Sequence, residues 1–295
     1  MYEKNFEYTI KQVHGIKGIE WLDALPILIK QCVNAWELQD LQVVENLTYN
    51  YVMFGTNGDK QIVLKLGCDT QAVQREYTTL VAYKDYGAVS MFDYSKELGA
   101  LLLEHLNPGG SLETLFAQHD KKATQYAARL LEKLHKAPFN VGMNIPLLQQ
   151  EVPFFDKDYS QLEPFKQKAI ELRHRLLVSE NNEVLLHGDF HQGNIVLSGI
   201  DDWKAIDPAG MLGNPLYDVA VYIRNPLKKL VQLSDAQMII KQRIEDFSLY
   251  LGYEKQAIYE WAFLQAFISA YWSLQDGLDA QHHCEFLSLL EPIKL

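Results

Sequence analysis

Between residue 40 and about residue 106 the sequence changes its hydrophobic period, and this change limits the folds open to the chain. The run "LQVVENLTYNYVMFGTNGDKQIVLKLG" is a series of β-rich stretches broken by turns. Asn57-Gly58 marks a hairpin, because a tight primed turn needs positive φ at both central residues. In "QIVLKLG", Ile62, Leu64 and Leu66 share one face, while Val63 and Lys65 share the other, as alternation along a strand requires. The stretch "QAVQREYTTLVAY" then carries Val73, Tyr77, Leu80 and Val81 at helical spacing. Two more strands follow near "GAVSMFDY" and "GALLLEHL". The segment reads as three strands, a helix and two strands.

Helical signals flank it. "LPILIKQCVNAWEL" reads as a helix with Pro26 in its first turn, where a missing N–H is tolerated. Its apolar face holds Ile29, Cys32, Val33 and Trp36. After "NPGGS", Ser111 is placed to cap a helix start. "TQYAARLLEKLHKAP" is amphipathic through Ala127, Leu130, Leu131 and Leu134, and Pro138 stops it. Short strands follow in "EVLLH", "NIVLS" and "WKAIDP", and the remainder is mostly helical and aromatic. The expectation is an α+β chain of two lobes. Residues 1–105 form a small β-rich lobe with a leading helix, and residues 106–295 a larger, mostly helical one, with a hinge near Glu104–Pro108.

Composition narrows the partners. The 295 residues are 48% hydrophobic and 22% charged, an ordinary globular balance. With 27 basic against 38 acidic side chains, the net charge is -11. So acidic a surface repels phosphate backbones and argues against a nucleic-acid partner, whereas it suits a cationic small molecule. Cys32, Cys68 and Cys284 are widely separated and odd in number, which gives neither a zinc pattern nor a disulfide framework. The first residues are charged too early for a signal peptide. The most apolar late segment, "WAFLQAFISAYW", is 12 residues long and contains Gln265, too short for a membrane span. A cytoplasmic location without membrane attachment is expected.

The chemistry concentrates in "LLHGDFHQGNIVL", where His187, Asp189, His191 and Asn194 fall within eight residues. His187 and His191 invite a zinc reading, but a zinc site needs further His, Asp or Cys ligands, and the remaining histidines lie in no comparable motif. Phosphoryl transfer accounts for more of the residues. A kinase uses a carboxylate to take the proton of the attacking hydroxyl, and an amide oxygen and a second carboxylate to hold Mg²⁺ on the nucleotide phosphates. Asp189 and Asn194 are five residues apart, the spacing of a kinase catalytic loop. Asp207 lies thirteen residues after Asn194, at the end of a hairpin that returns it toward Asn194. Lys65 on a strand and Glu76 on the following helix add a phosphate-reaching cation and its brace. Either one alone would read as a solvated surface charge.

With these pieces in order, "HGDFHQGN" and the downstream "IDP" resemble the aminoglycoside phosphotransferase family, which has a protein-kinase-like fold. Within it the chain is most similar to the aminoglycoside/hydroxyurea resistance kinases of the streptomycin 6-kinase type. The matching strings include "IVLKLG", "REYTTL", "LLLEHLNPGGSL", "ATQYAARLLEKLH" and "AIDPAGMLGNPLYDVA". The resemblance implies that Asp189 is the catalytic aspartate and that Asn194 and Asp207 hold Mg²⁺. It implies that Lys65 touches the ATP phosphates with Glu76 bracing it, and that backbone near Glu104 to Leu106 meets the adenine edge. Asp218 would brace the catalytic loop, with His187 and His191 as scaffold. The phosphate-covering segment "ENLTYNYV" lacks glycine, so N–H groups around Thr48 and Asn50 would serve there. Ala209 and Asn214 stand where the family often has a basic and an acidic residue.

The implied activity is ATP-dependent phosphorylation of a small hydroxylated molecule, most plausibly a streptomycin-like aminoglycoside. The alternatives are a kinase of an amino alcohol or sugar amine, and a nucleotide-binding protein without catalysis. Acids that would suit a cationic acceptor are Asp156, Asp158, Glu260, Asp276 and Asp279, near Trp261 and Trp272.

Overall fold

The computed structural model describes residues 4–45, 47–139, 143–177 and 183–295. The chain divides into two compact units. The first comprises residues 1–84 and 89–107, and the second residues 85–88 and 108–295.

The first unit opens with α1 (Lys4–His14) and α2 (Ile16–Trp36), followed by β1 (Leu38–Val43), β2 (Asn50–Asn57), β3 (Lys60–Gly67), α3 (Thr70–Ala82), β4 (Met91–Ser95) and β5 (Ala100–Glu104). The five strands form one antiparallel sheet in the order β1-β2-β3-β5-β4. The three strands, helix and two strands read from the sequence are all present. The fully buried Ile62, Leu64 and Leu66 of β3 meet Phe6 and Ile10 of α1 and Leu22, Leu25 and Cys32 of α2. The opposite face of the sheet carries Lys65, which is also buried.

Three expectations need correction here. Helix α1 was not anticipated, although Phe6 and Ile10 sit four residues apart on one face and are both fully buried. Pro26 lies in the interior of α2 rather than in its first turn, because the helix begins ten residues earlier at Ile16. The hairpin turn falls one residue later than read. Asn57 pairs with Lys60, so Gly58 and Asp59 are the central residues, with Gly58 at φ 57°. Asn57 instead points its amide at the Trp36 carbonyl.

The second unit contains α4 (Asp120–Leu134), α5 (Leu148–Glu151), α6 (Glu163–Leu176), β6 (Val184–Leu186), β7 (Ile195–Leu197), β8 (Trp203–Ala205), β9 (Met211–Gly213), α7 (Leu216–Arg224), α8 (Leu227–Leu230), α9 (Ala236–Leu251), α10 (Lys255–Gln275) and α11 (Gln281–Leu290). Ala127, Leu130, Leu131 and Leu134 form the buried face of α4, as their spacing predicts. Every residue of α7 is buried, and α10 packs beside it with Trp261, Phe263 and Phe267 inside. Ser111 precedes a short 3₁₀ turn at Leu112–Leu115 and makes no side-chain cap; its carbonyl accepts the Thr114 N–H instead. The sequence reading also missed β9, which pairs with β6, while β7 pairs with β8. Among the described residues no helix is long and apolar enough to cross a membrane.

Candidate active site

The loop from His187 to Asn194 joins β6 to β7. Its shape is fixed first by Gly188, at φ 83°. A Cβ there would lie 3.1 Å from both the Ala209 Cβ and the Met211 Cε, so only glycine fits without displacing them. Asp218, in the first turn of α7, is fully buried and clamps the loop from behind. Its Oδ2 accepts the His187 N–H at 2.8 Å and its Oδ1 the Gly188 N–H at 2.8 Å. His135 Nε2 lies 3.0 Å from the same Oδ2. From the far side, Gln192 donates to the carbonyls of Tyr222 and Asn225, at 3.3 and 2.6 Å. Helix α7 thus holds the loop at both of its own ends.

The two histidines are oriented by backbone. His187 Nε2 lies 2.9 Å from the Ile206 carbonyl, so it carries the proton, and its Nδ1 accepts the Asp189 N–H at 3.3 Å. Burial pulls the His187 pKa below its ordinary value and keeps the ring neutral. His191 Nδ1 accepts the Gly193 N–H at 3.0 Å, which puts its proton on Nε2, 3.5 Å from Asp189 Oδ2. The acceptor nitrogen of each ring is therefore occupied by a backbone N–H, and neither ring is poised to ligate a metal. His191 goes beyond scaffolding, because it also faces Asp189.

The Asp189 side chain remains 54% exposed. Protein crowding around it raises its pKa, but the hydrogen bond and charge of His191, with smaller contributions from His187 and Arg224, outweigh this. The net shift is downward, so the carboxylate is ionised at neutral pH. Asn194 donates through its amide nitrogen to the Asp189 carbonyl at 3.0 Å and to Asp189 Oδ2 at 3.2 Å. The amide oxygen is left as its outward donor atom to a cation. The Ile206 N–H donates to the Asn194 carbonyl at 2.9 Å, which sets Asp207 beside Asn194 across the β7–β8 hairpin. Asp207 adopts φ 58°, a left-handed conformation uncommon outside glycine and frequent where side chains are aimed for function. An amide oxygen and a carboxylate in this setting suit a hard cation such as Mg²⁺, which takes few protein ligands alongside phosphates.

In the first unit, Lys65 and Glu76 are buried together, with Nζ 2.8 Å from Oε1 and 2.7 Å from Oε2. Lys65 is exposed on neither side because α3 covers that face of β3. Thr48 lies exposed just before β2, and Asn50 opens β2 opposite Gly67; the neighbouring Asn46 lies outside the described residues. At the end of β5, the Glu104 N–H goes to the Ser90 carbonyl at 2.8 Å and its Oε2 accepts the Ser90 N–H at 3.1 Å. The His105 N–H reaches the Gln61 carbonyl at 3.4 Å. Leu106 is buried, and among the described residues nothing accepts its N–H.

The acids suited to a cationic acceptor are mostly engaged. Asp158 pairs with Lys166, and Glu260 with Arg175 at 2.7 Å. Asp156 accepts the Tyr271 hydroxyl at 3.0 Å, and Asp279 accepts the Gln281 N–H at 3.0 Å just before α11. Asp276 is exposed, whereas Trp261 is buried against Tyr217. Sequence reasoning did not single out His135, Gln192 or Arg224; Gln192 lies inside the motif, whereas His135 and Arg224 are distant from it along the chain and carry no local signal.

Residues 39–277 match the family of aminoglycoside/hydroxyurea antibiotic resistance kinases. The chain belongs to this family. It is an ATP-dependent small-molecule kinase, a phosphotransferase acting on a hydroxyl-bearing small molecule. A streptomycin 6-kinase of Streptomyces griseus is 26% identical over 278 residues, covering 90% of this chain and 88% of that protein. The choline kinase LicA of Streptococcus pneumoniae superposes with a TM-score of 0.65 at 16% identity, covering 92% of this chain and 100% of LicA. An aminoglycoside phosphotransferase in a ternary complex with ADP and hygromycin B superposes with a TM-score of 0.61 at 16% identity, covering 90% of this chain and 99% of that one. These two likenesses establish the bilobal protein-kinase-like fold of the chain.

Proposed function

We propose that this kinase transfers the γ-phosphoryl group of ATP to a hydroxyl of a streptomycin-like aminoglycoside, with Asp189 as the catalytic carboxylate. The observation that carries the chemistry is the state of Asp189, an ionised and half-exposed carboxylate on a loop pinned at both ends by α7. In the reaction the acceptor oxygen forms a bond to the γ-phosphorus, the bond from that phosphorus to the leaving oxygen of ADP breaks, and the hydroxyl proton passes to Asp189. Asn194 and Asp207 hold Mg²⁺, which when bound neutralises charge on the nucleotide phosphates. Lys65, braced by Glu76, contacts those phosphates, and N–H groups near Thr48 and Asn50 cover them. Backbone from Glu104 to Leu106 meets the adenine, with the Leu106 N–H as the available donor.

The acceptor assignment is supported by the likeness to streptomycin 6-kinase over 90% of the chain, and by a net charge of -11 that favours encounter with a cation. It is tested by following ADP release with streptomycin, hygromycin B, hydroxyurea and choline as acceptors. Streptomycin is expected to give the highest kcat/KM. Efficient use of choline with no turnover of either aminoglycoside would overturn the acceptor while leaving the kinase chemistry intact.

A further inference from the structure

The two histidines of the His187–Asn194 loop hold different parts of Asp189. His187 Nδ1 accepts the Asp189 N–H at 3.3 Å and so fixes its backbone. His191 faces the side chain, with Nε2 3.5 Å from Oδ2. The Asn194 amide nitrogen reaches the same Oδ2 at 3.2 Å. Among the described residues no group donates to Oδ1. An aspartate carboxylate turns in a broad, two-fold well, so its plane has no strong preference of its own. Two N–H groups aimed at one oxygen remove that freedom. They leave one oxygen held by protein and the other open to a ligand.

The His191 ring is seated by its own loop. His191 caps the 3₁₀ turn Gln192–Asn194, and its Nδ1 accepts the Gly193 N–H at 3.0 Å. With Nδ1 accepting, the proton of the neutral ring lies on Nε2, which is then a donor toward Oδ2. The His191 N–H bonds to the Asp189 carbonyl at 3.0 Å, and the His191 carbonyl accepts the Asn194 N–H at 2.9 Å. The backbone of the three residues is thereby closed on itself. Gly193 leaves room for the ring. A Cβ there would lie 2.9 Å from its Cε1 and 3.0 Å from its Nδ1, well inside the ordinary contact distance, so any side chain at this position would push the imidazole from its seat.

We propose that His191 is a positioning residue, which with Asn194 holds Oδ2 of Asp189 and leaves Oδ1 as the oxygen that takes the proton of the acceptor hydroxyl. This role rests on the kinase reading above, with Asp189 as the base. As the hydroxyl oxygen bonds to the γ-phosphorus and the bond to the leaving oxygen of ADP breaks, the proton passes to Oδ1. His191 neither gains nor loses a proton. A reacting group misplaced by about 1 Å costs about a hundredfold in rate, so the lock acts on kcat and leaves ground-state binding alone.

The test uses the full chain with whichever of streptomycin, hygromycin B, hydroxyurea and choline gives the highest kcat/KM. His191→Ala is expected to lower kcat by about ten- to a hundredfold, with KM for ATP and for the acceptor within about twofold. His191→Gln, which keeps an N–H near the Nε2 position, should bring kcat back to within about threefold of the parent. Gly193→Ala should lower kcat as well, and the double variant with His191→Ala should be no slower than His191→Ala alone, because the displaced ring is already absent. A rise in KM at constant kcat would overturn the role, as would a His191→Gln as slow as His191→Ala, or effects that multiply in the double variant. Nitrogen NMR of parent protein isotope-labelled at histidine reads the tautomer without any acceptor. The resonance lost in His191→Gln should show the proton on Nε2, and a proton on Nδ1 would overturn the role whatever the variants do. Asp189→Asn is measured in parallel. If it keeps near-parental turnover, the Asp189 reading fails and the role of His191 falls with it. If it is slow while His191→Ala is fully active, only the role of His191 fails. Absence of turnover with all four acceptors counts against both.

Discussion

Asp189 is the residue on which the proposed chemistry turns, and its surroundings separate charge from position. Asn194 donates to its Oδ2 at 3.2 Å and His191 Nε2 lies 3.5 Å from the same oxygen, while the side chain stays half open. Asp189→Asn preserves shape and removes the proton acceptor, so kcat should fall by ~10²–10⁴, while the Kd for ATP measured by calorimetry should change little. A variant with near-parental turnover would remove Asp189 from its role. His283 offers a second residue-scale prediction through pH. Its folded pKa of about 3 lies below the ordinary 6.5, so the folded state binds fewer protons than the unfolded one between those values. The stability it contributes is complete above 6.5 and is lost as pH falls toward 3, with a slope of at most about 1.4 kcal/mol per pH unit. His187, also shifted down by burial, adds in the same direction. Denaturation midpoints should therefore fall on acidification below pH ~6.5, and His283→Gln should flatten that fall.

At the scale of elements, two helices explain why ordinary charged residues become site components. Helix α3 starts from Asp69, whose side chain accepts the N–H groups of Gln71 and Ala72, and then lays Val73, Glu76 and Leu80 against the sheet. Glu76 meets Lys65 there, inside protein rather than in water. Lys65→Ala takes the cation from a buried carboxylate and should destabilise the protein by ~3–5 kcal/mol. Lys65→Met combined with Glu76→Leu should cost less than the sum of the single changes, because neither charge is left behind. Urea denaturation of the four proteins measures this coupling, and strict additivity would show that the pair does not act as a unit. Helix α7 works differently. Asp218 at its start and the Tyr222 and Asn225 carbonyls at its end both grip the His187–Asn194 loop. Arg243 fastens the same end through the Ile223 carbonyl at 2.8 Å and joins it to Asp120 of α4.

For the molecule as a whole, stability should respond to nucleotide and metal together. A ligand at one hundred times its Kd adds about 2.7 kcal/mol to a protein that binds it only when folded. The thermal midpoint should therefore rise with ATP and Mg²⁺, respond far less to ATP with chelator, and lose its Mg²⁺ dependence in Asp207→Ala. A full response to ATP without divalent cation would remove Asn194 and Asp207 from metal binding.

The sequence by itself determined what depends on neighbours along the chain. Alternation in "QIVLKLG", helical spacing in "QAVQREYTTLVAY" and the five-residue separation of Asp189 from Asn194 are local patterns, and the strands, helix and loop follow them. Local signals misplaced what depends on context. Pro26 reads as a helix start, but Phe6, Leu22 and Leu25 bury enough apolar surface in one cluster to carry helical structure well upstream of it. Ser111 reads as a cap, yet the chain there makes only a 3₁₀ turn. Tertiary structure alone decided which charges are buried and which are neutralised. Glu260 reads as a candidate for a cationic acceptor until Arg175, 85 residues earlier, is seen bonded to it. Arg224 draws no notice in the sequence, and its partners Gln265 and His283 come from α10 and α11, 41 and 59 residues later. Partners so distant in sequence leave no periodicity to read, because the energy that selects them arises only when the packed helices exclude water.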